Sequence, residues 1–105
     1  MNNLKSNIIG IDSDMALAIE SLQKSIIKLV LIVESNKLIG TITDGDIRRA
    51  LLSGKNLQTS CKDVMNLDPK CALVDDYKNI NKLLISYKYI PLIDHNNNII
   101  DIITN

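Results

Sequence analysis

Thr43 and Asp46 are the residues of this 105-residue chain best placed to do chemistry, in the run Leu38-Ile39-Gly40-Thr41-Ile42-Thr43-Asp44-Gly45-Asp46-Ile47-Arg48-Arg49-Ala50-Leu51. An apolar strand there breaks at Thr43-Asp44-Gly45-Asp46 and opens into a helix carrying two arginines in its first turns. Free N–H groups and the helix dipole favour negative charge at a helix N-terminus, so a threonine hydroxyl there suits a phosphate. A carboxylate three residues later can accept hydrogen bonds from the paired hydroxyls of a ribose. The same Thr-x-x-Asp spacing is a capping box, in which the threonine caps the helix and the acid reaches back to the cap amide. The two roles can coexist. The pattern suggests a nucleotide pocket rather than a reaction centre.

Other reactive residue types are sparse. Lys28 and Lys88 each precede an apolar strand, where a lysine either reaches a phosphate or marks the strand's exit into water. Arg48 and Arg49 could guide an anion, mediate a dimer contact or form a solvated helix face. His95 lies in an Asn-rich turn, and Asp12, Asp14, Asp75 and Asp76 fit helix caps better than metal ligands. Cys61 and Cys71, with a single histidine in the chain, support neither a zinc site nor a disulfide framework. They read as small apolar residues of a reducing compartment. No Ser/His/Asp or Cys/His set, metal cluster or P-loop is brought together, so no catalysis is expected.

Composition narrows the partners. The formal net charge is zero, and the aromatic residues are three tyrosines with no Trp or Phe. Neither an electrostatic footprint nor stacking platforms for nucleic acid are present, and nothing marks a membrane partner. No apolar run approaches spanning length and the first residues, Met1-Asn2-Asn3-Leu4-Lys5-Ser6, lack a leader's apolar region. A cytoplasmic protein is expected.

The elements that must position Thr43 and Asp46 occur twice, about 61 residues apart in sequence. In the first copy, Ile8-Ile9-Gly10-Ile11 is a short strand, and Asp12-Ser13-Asp14 supplies a cap. Met15, Ala18, Ile19 and Leu22 then share one helix face. Leu29 to Val33 is a buried strand, Ser35-Asn36 a turn, and Leu38 to Thr43 the partner strand. The following helix is expected to pack through Ile47, Ala50 and Leu51 and to stop at Gly54. In the second copy, Cys71 to Val74 is the short strand. Ile80, Leu83, Leu84 and Tyr87 form the helix face, and Tyr89 to Ile93 and Ile99 to Thr104 the hairpin. Residues 55–70 read as a polar connector with one helical turn at Cys61-Lys62-Asp63-Val64-Met65. The expected class is α/β (α+β): two β-α-β-β-α units packed sheet to sheet, too small to bury a sheet face singly. The second unit lacks its last helix and the acid corresponding to Asp46, as expected of an excised piece of a longer protein.

This arrangement resembles a tandem pair of cystathionine-β-synthase-type (CBS) domains, a Bateman module, with residues 1–60 as the first repeat and 61–105 as the second. The resemblance rests on Gly40-Thr41-Ile42-Thr43-Asp44-Gly45-Asp46, on Asp63-Val64-Met65-Asn66 and on Lys88-Tyr89-Ile90-Pro91-Leu92-Ile93-Asp94. It implies a regulatory module that binds an adenosyl ligand (AMP, ADP, ATP or S-adenosylmethionine) between the repeats, requires no cofactor, and pairs as a homodimer. By resemblance Asp46 would take the ribose, Thr43 a phosphate oxygen and Lys28 a second phosphate contact. Asn66, Ala72, Leu73 and Tyr89 would form the opposite wall, with Asn66 standing where the family often has threonine. The wording Thr-Asp-Gly-Asp-Ile-Arg-Arg-Ala-Leu is similar to pairs attached to arabinose-5-phosphate isomerases and sugar nucleotidyltransferases, the chain order favouring the latter. A module that only dimerises an attached enzyme, without a ligand, is the alternative.

Overall fold

A computed structural model describes residues 4–104; Asn105 and the first three residues of the stretch read for a leader lie outside the described residues. Alternating apolar residues in the hairpin strands give each a helix-facing and a sheet-facing side, and this decides the architecture. The first unit is β1 (Ile8–Gly10), α1 (Met15–Lys24), β2 (Val30–Glu34), β3 (Lys37–Ile42) and α2 (Asp44–Leu52). The second is β4 (Ala72–Leu73), α3 (Tyr77–Ser86), β5 (Tyr89–Ile93) and β6 (Ile99–Thr104). Each forms a three-stranded sheet of the same order, β1-β2-β3 and β4-β5-β6. The first strand pairs parallel to the second, and the second antiparallel to the third.

Val30 and Ile32 face the helices, in one core with Met15, Ala18, Leu22, Ile42, Ile47 and Ala50. Leu31, between them, faces the other way and joins Leu29, Leu38, Ile99 and Ile102 in a core shared by both sheets. A smaller cluster of Ala72, Ile80, Ile90 and Leu92 sits under α3. The sheet-to-sheet packing expected from the repeat is therefore present. The repeat extends to an irregularity: pairing skips Ile39 opposite Ile32/Val33, and skips Ile100 opposite Leu92/Ile93. These bulges sit at corresponding positions of the two hairpins and reset which face the following side chains occupy.

Two expected helix faces are corrected. Leu51 is 48% exposed rather than packed, because Ile47 and Ala50 already fill the stripe that α2 turns inward. Tyr87 caps the end of α3 instead of packing under it, its N–H donating to the Leu83 carbonyl. The connector is also less loose than its polarity suggests. Cys61 is fully buried, in a short 3-10 turn over Cys61–Asp63. Its N–H donates to the Ser13 carbonyl, and Met15 N–H donates to Thr59. Further on, Thr41 and Asn66 exchange backbone hydrogen bonds, which brings Asn66 to the edge of β3.

At the far end the hairpin tips are tied together. Ser35 and Asn36 both have positive φ, as a two-residue turn between right-twisted strands requires. Leu38 N–H donates to the Asn97 carbonyl and Ile99 N–H to the Asn36 carbonyl. Lys37 Nζ adds a contact to Asn96 at 2.7 Å. No described helix is long and apolar enough to cross a membrane.

Candidate functional site

β3 runs from the tied tips toward α2, and β5 starts at the same end, so the C-terminus of one strand meets the N-terminus of the other. A cleft of about 320 Å³ opens there, at the small end of the range for ligand pockets. Thr41, Thr43, Asp46 and Arg49 line it from the first unit, Asn66, Pro69 and Lys70 from the connector, and Tyr87, Lys88 and Tyr89 from the second.

Thr43 is the N-cap of α2. Its hydroxyl accepts from Asp46 N–H at 3.3 Å, while Asp46 Oδ2 accepts from Thr43 N–H at 2.9 Å and from the Thr43 hydroxyl at 3.1 Å. The capping box is thus fully formed. The other carboxylate oxygen, Oδ1, points outward and pairs with Arg49 Nη2 at 2.7 Å. The Asp46 side chain is 16% exposed and that of Arg49 is 71% exposed, so the acid is held within the fold while its partner lies largely in solvent. A carboxylate has about four acceptor positions. Capping therefore engages one oxygen of Asp46, and the other is left to partners outside the cap.

The second unit supplies cations and an aromatic face. Lys88 Nζ lies 5.5 Å from the centre of the Tyr89 ring. Among the described residues no carboxylate is within ion-pair distance of Lys70 or Lys88. With Arg49, three cations face one acid, a balance that favours an anionic ligand.

Of the residues expected to form the site, the structure brings Thr43, Asp46, Asn66 and Tyr89 to one cleft. It does not bring Lys28, Ala72 or Leu73 to its lining. Lys28 Nζ donates to the Leu22 carbonyl at 2.6 Å, satisfying the C-terminal end of α1. Ala72 is buried under α3, and Leu73 pairs with Ile93 in the sheet. Lys70, Tyr87 and Pro69 were missed. The signal available for Lys70 was its place two residues before β4, beside the strand start that the repeat aligns with the cleft.

The repeat generates a second cleft at the corresponding end of β6, about 400 Å³, lined by Ser6, Asn7, Lys24, Ser25, Ile26, Ile27 and Thr104. Its chemistry differs. Lys24, its one lysine, is paired with Glu20 at 2.6 Å. Asn7 is buried and fully engaged, donating to the Ile27 and Leu29 carbonyls and accepting from the Ser25 hydroxyl. Among the described residues no acidic side chain lines this second cleft. Nor does any group of three or more His, Cys, Asp or Glu side chains there converge to hold a metal ion.

Residues 5–53 match the CBS domain family. The chain is also 37% identical over 67 residues to an uncharacterized protein of Helicobacter pylori strain J99, a match covering 64% of this chain and 19% of that protein. It thus spans about a fifth of the length of the curated relatives it matches. Among solved structures, the CbpB protein of Listeria monocytogenes in complex with c-di-AMP superposes with a TM-score of 0.82 at 20% identity, over 100% of this chain and 84% of that one. CBSX2 in complex with AMP superposes with a TM-score of 0.75 at 18% identity, over 93% and 80%. OpuCA of Staphylococcus aureus does so with a TM-score of 0.77 at 18% identity, over 92% and 83%. The chain as a whole has the mixed α+β fold of CBS-domain pairs, and the family match falls on its first unit.

Proposed function

We propose that this chain is a tandem CBS module which binds an adenosyl ligand in the cleft lined by Thr43, Asp46 and Tyr89, and so regulates an attached enzyme. The observation that carries this reading is the outward Asp46 oxygen, set at a helix N-terminus and facing Lys70, Lys88 and Tyr89 across the cleft. The ribose is held by Asp46, the phosphate by the Thr43 end of α2 and the cleft cations, and the base by the Tyr89 and Asn66 side. Neighbouring CBS structures described in complex with c-di-AMP and with AMP support this ligand class. Because the ligand touches both units, it stabilises one arrangement of them, and that differential affinity is what biases the attached domain. A sugar-metabolic partner, a nucleotidyltransferase in particular, is the context the Thr-Asp-Gly-Asp-Ile-Arg-Arg wording supports. The reaction belongs to that partner; this chain catalyses nothing.

The test is thermal unfolding of the chain with AMP, ADP, ATP and S-adenosylmethionine at millimolar concentration. A ligand at 100 times its Kd stabilises by about 2.7 kcal/mol, an easily measured rise in Tm. Asp46→Ala removes that rise. No rise with any of the four ligands overturns the reading.

A ligand-free dimerisation module draws on a different observation, the apolar side chains left exposed on the helices: Leu51 and Leu52 on α2, Tyr77 and Ile85 on α3. It requires a homodimer by light scattering whose association ignores both nucleotides and Asp46→Ala.

A further inference from the structure

Arg49 lies between two cavities. On one side is the cleft described above; on the other a second space of about 320 Å³, lined by Asp46, Arg49, Ala50, Ser53, Lys55, Asp63 and Val64. The guanidinium reaches Asp46 by folding back across Gly45, where an added Cβ would lie 3.3 Å from Nη1 and 3.4 Å from Nη2. The guanidinium therefore packs closely over Gly45, in a contact that an added methyl group would tighten by a few tenths of an ångström. In this position Arg49 occupies Asp46 Oδ1, the oxygen that the ribose needs.

We propose that Arg49 is a specificity-determining latch that makes the cleft select phosphorylated ligands over the bare nucleoside. This rests on the adenosyl reading above. A nucleoside and a nucleotide present the same diol, and each must displace Arg49 from Oδ1. The nucleoside gives the displaced guanidinium nothing in return. The nucleotide brings a phosphate, to which an arginine can make short, charge-assisted and bidentate hydrogen bonds. The exchange of one anionic partner for another is open only to the phosphorylated ligand. Arg48, on the same helix but lining neither cavity, has no part in it.

The experiment is calorimetric titration of the 105-residue chain with AMP and with adenosine, for wild type, Arg49→Met and Arg48→Met. Wild type is expected to prefer AMP by about tenfold or more, the scale of one charge-assisted contact. Arg49→Met should weaken AMP and strengthen adenosine, narrowing that preference at least fivefold, whereas Arg48→Met should leave it within about twofold. A structural role for Arg49 would weaken both ligands alike and overturn the latch. So would an equal change from Arg48→Met, which would assign the effect to net charge. If wild type binds neither ligand, the adenosyl reading fails and the latch with it; if it binds AMP but Arg49→Met leaves the preference unchanged, the latch alone fails.

Discussion

Asp46 shows how a residue that closes a helix cap can also line a cleft. Its inner oxygen closes the first turn of α2 through two contacts to Thr43, and its outer oxygen pairs with the exposed Arg49 guanidinium. The Thr-x-x-Asp spacing allowed both roles together, and the geometry forms the cap with one oxygen while leaving the other outside it. At the same scale, Cys61 is a structural thiol. Burial, with the charge of Asp14 adding to it, pushes its pKa from 9.0 up to about 11. A group with a raised folded-state pKa contributes its full stability below the unfolded value and loses it as pH rises through the folded one. The chain should therefore lose stability between about pH 9 and 11, and Cys61→Ala should flatten that part of the profile in urea titrations. Thiol labelling of the native chain near neutral pH should reach the partly exposed Cys71 before the buried Cys61.

Among the elements, strands and helices were largely readable because apolar periodicity is a local signal. What was not readable depends on where an end lands in space. Lys28 and Lys88 occupy the same place before their strands, yet Lys28 finds a helix carbonyl within reach and Lys88 a cleft. Nothing in the spacing distinguishes them. Asn7, outside every motif, turns out to hold three partners in a buried position. The connector's helical turn was legible, but its docking was not, since that rests on hydrogen bonds to the backbone of Ser13, Met15 and Thr41 far away in sequence. Gly40 explains how it lies so close. A Cβ at that position would sit 2.7 Å from Met65 Sδ and 2.8 Å from the Asn66 carbonyl oxygen. Gly40→Ala must push the connector off β3, at a cost of about 1–3 kcal/mol by analogy with overpacked cores. Chemical denaturation measures that cost. Because Asn66 lines the cleft, ligand affinity should fall with stability, where a surface Gly→Ala change would alter neither.

At the scale of the whole molecule, a radius of gyration of 13.3 Å matches the roughly 13 Å expected of a single compact body of about 100 residues. The core shared by the sheets makes the two units one structure. Leu31, fully buried in that core, is the residue whose truncation tests this. Leu31→Ala should cost about 2–5 kcal/mol while leaving a single unfolding transition in urea. A biphasic curve would mean that the sheets fold independently and merely touch. The doubled architecture was readable from the repeat, and so was the existence of one cleft carrying Thr43 and Asp46. The difference in character between the two clefts was not, because it is set by side chains such as Lys24, Asn7 and Lys70 that the repeat does not preserve.

The tie between the hairpin tips also dictates an order of events as the chain is made. Leu38 and Asn97 are 59 residues apart, and joining them closes a long loop whose entropy must be met before the contact returns anything. Each hairpin can form from neighbours alone, but the tie needs both. Thr43 and Asp46 thus leave the ribosome as an ordinary helix cap, and become a cleft only after Tyr89 has followed and the tips have closed. A half-made chain carries the motif without the site, so any response to a ligand belongs to the finished fold.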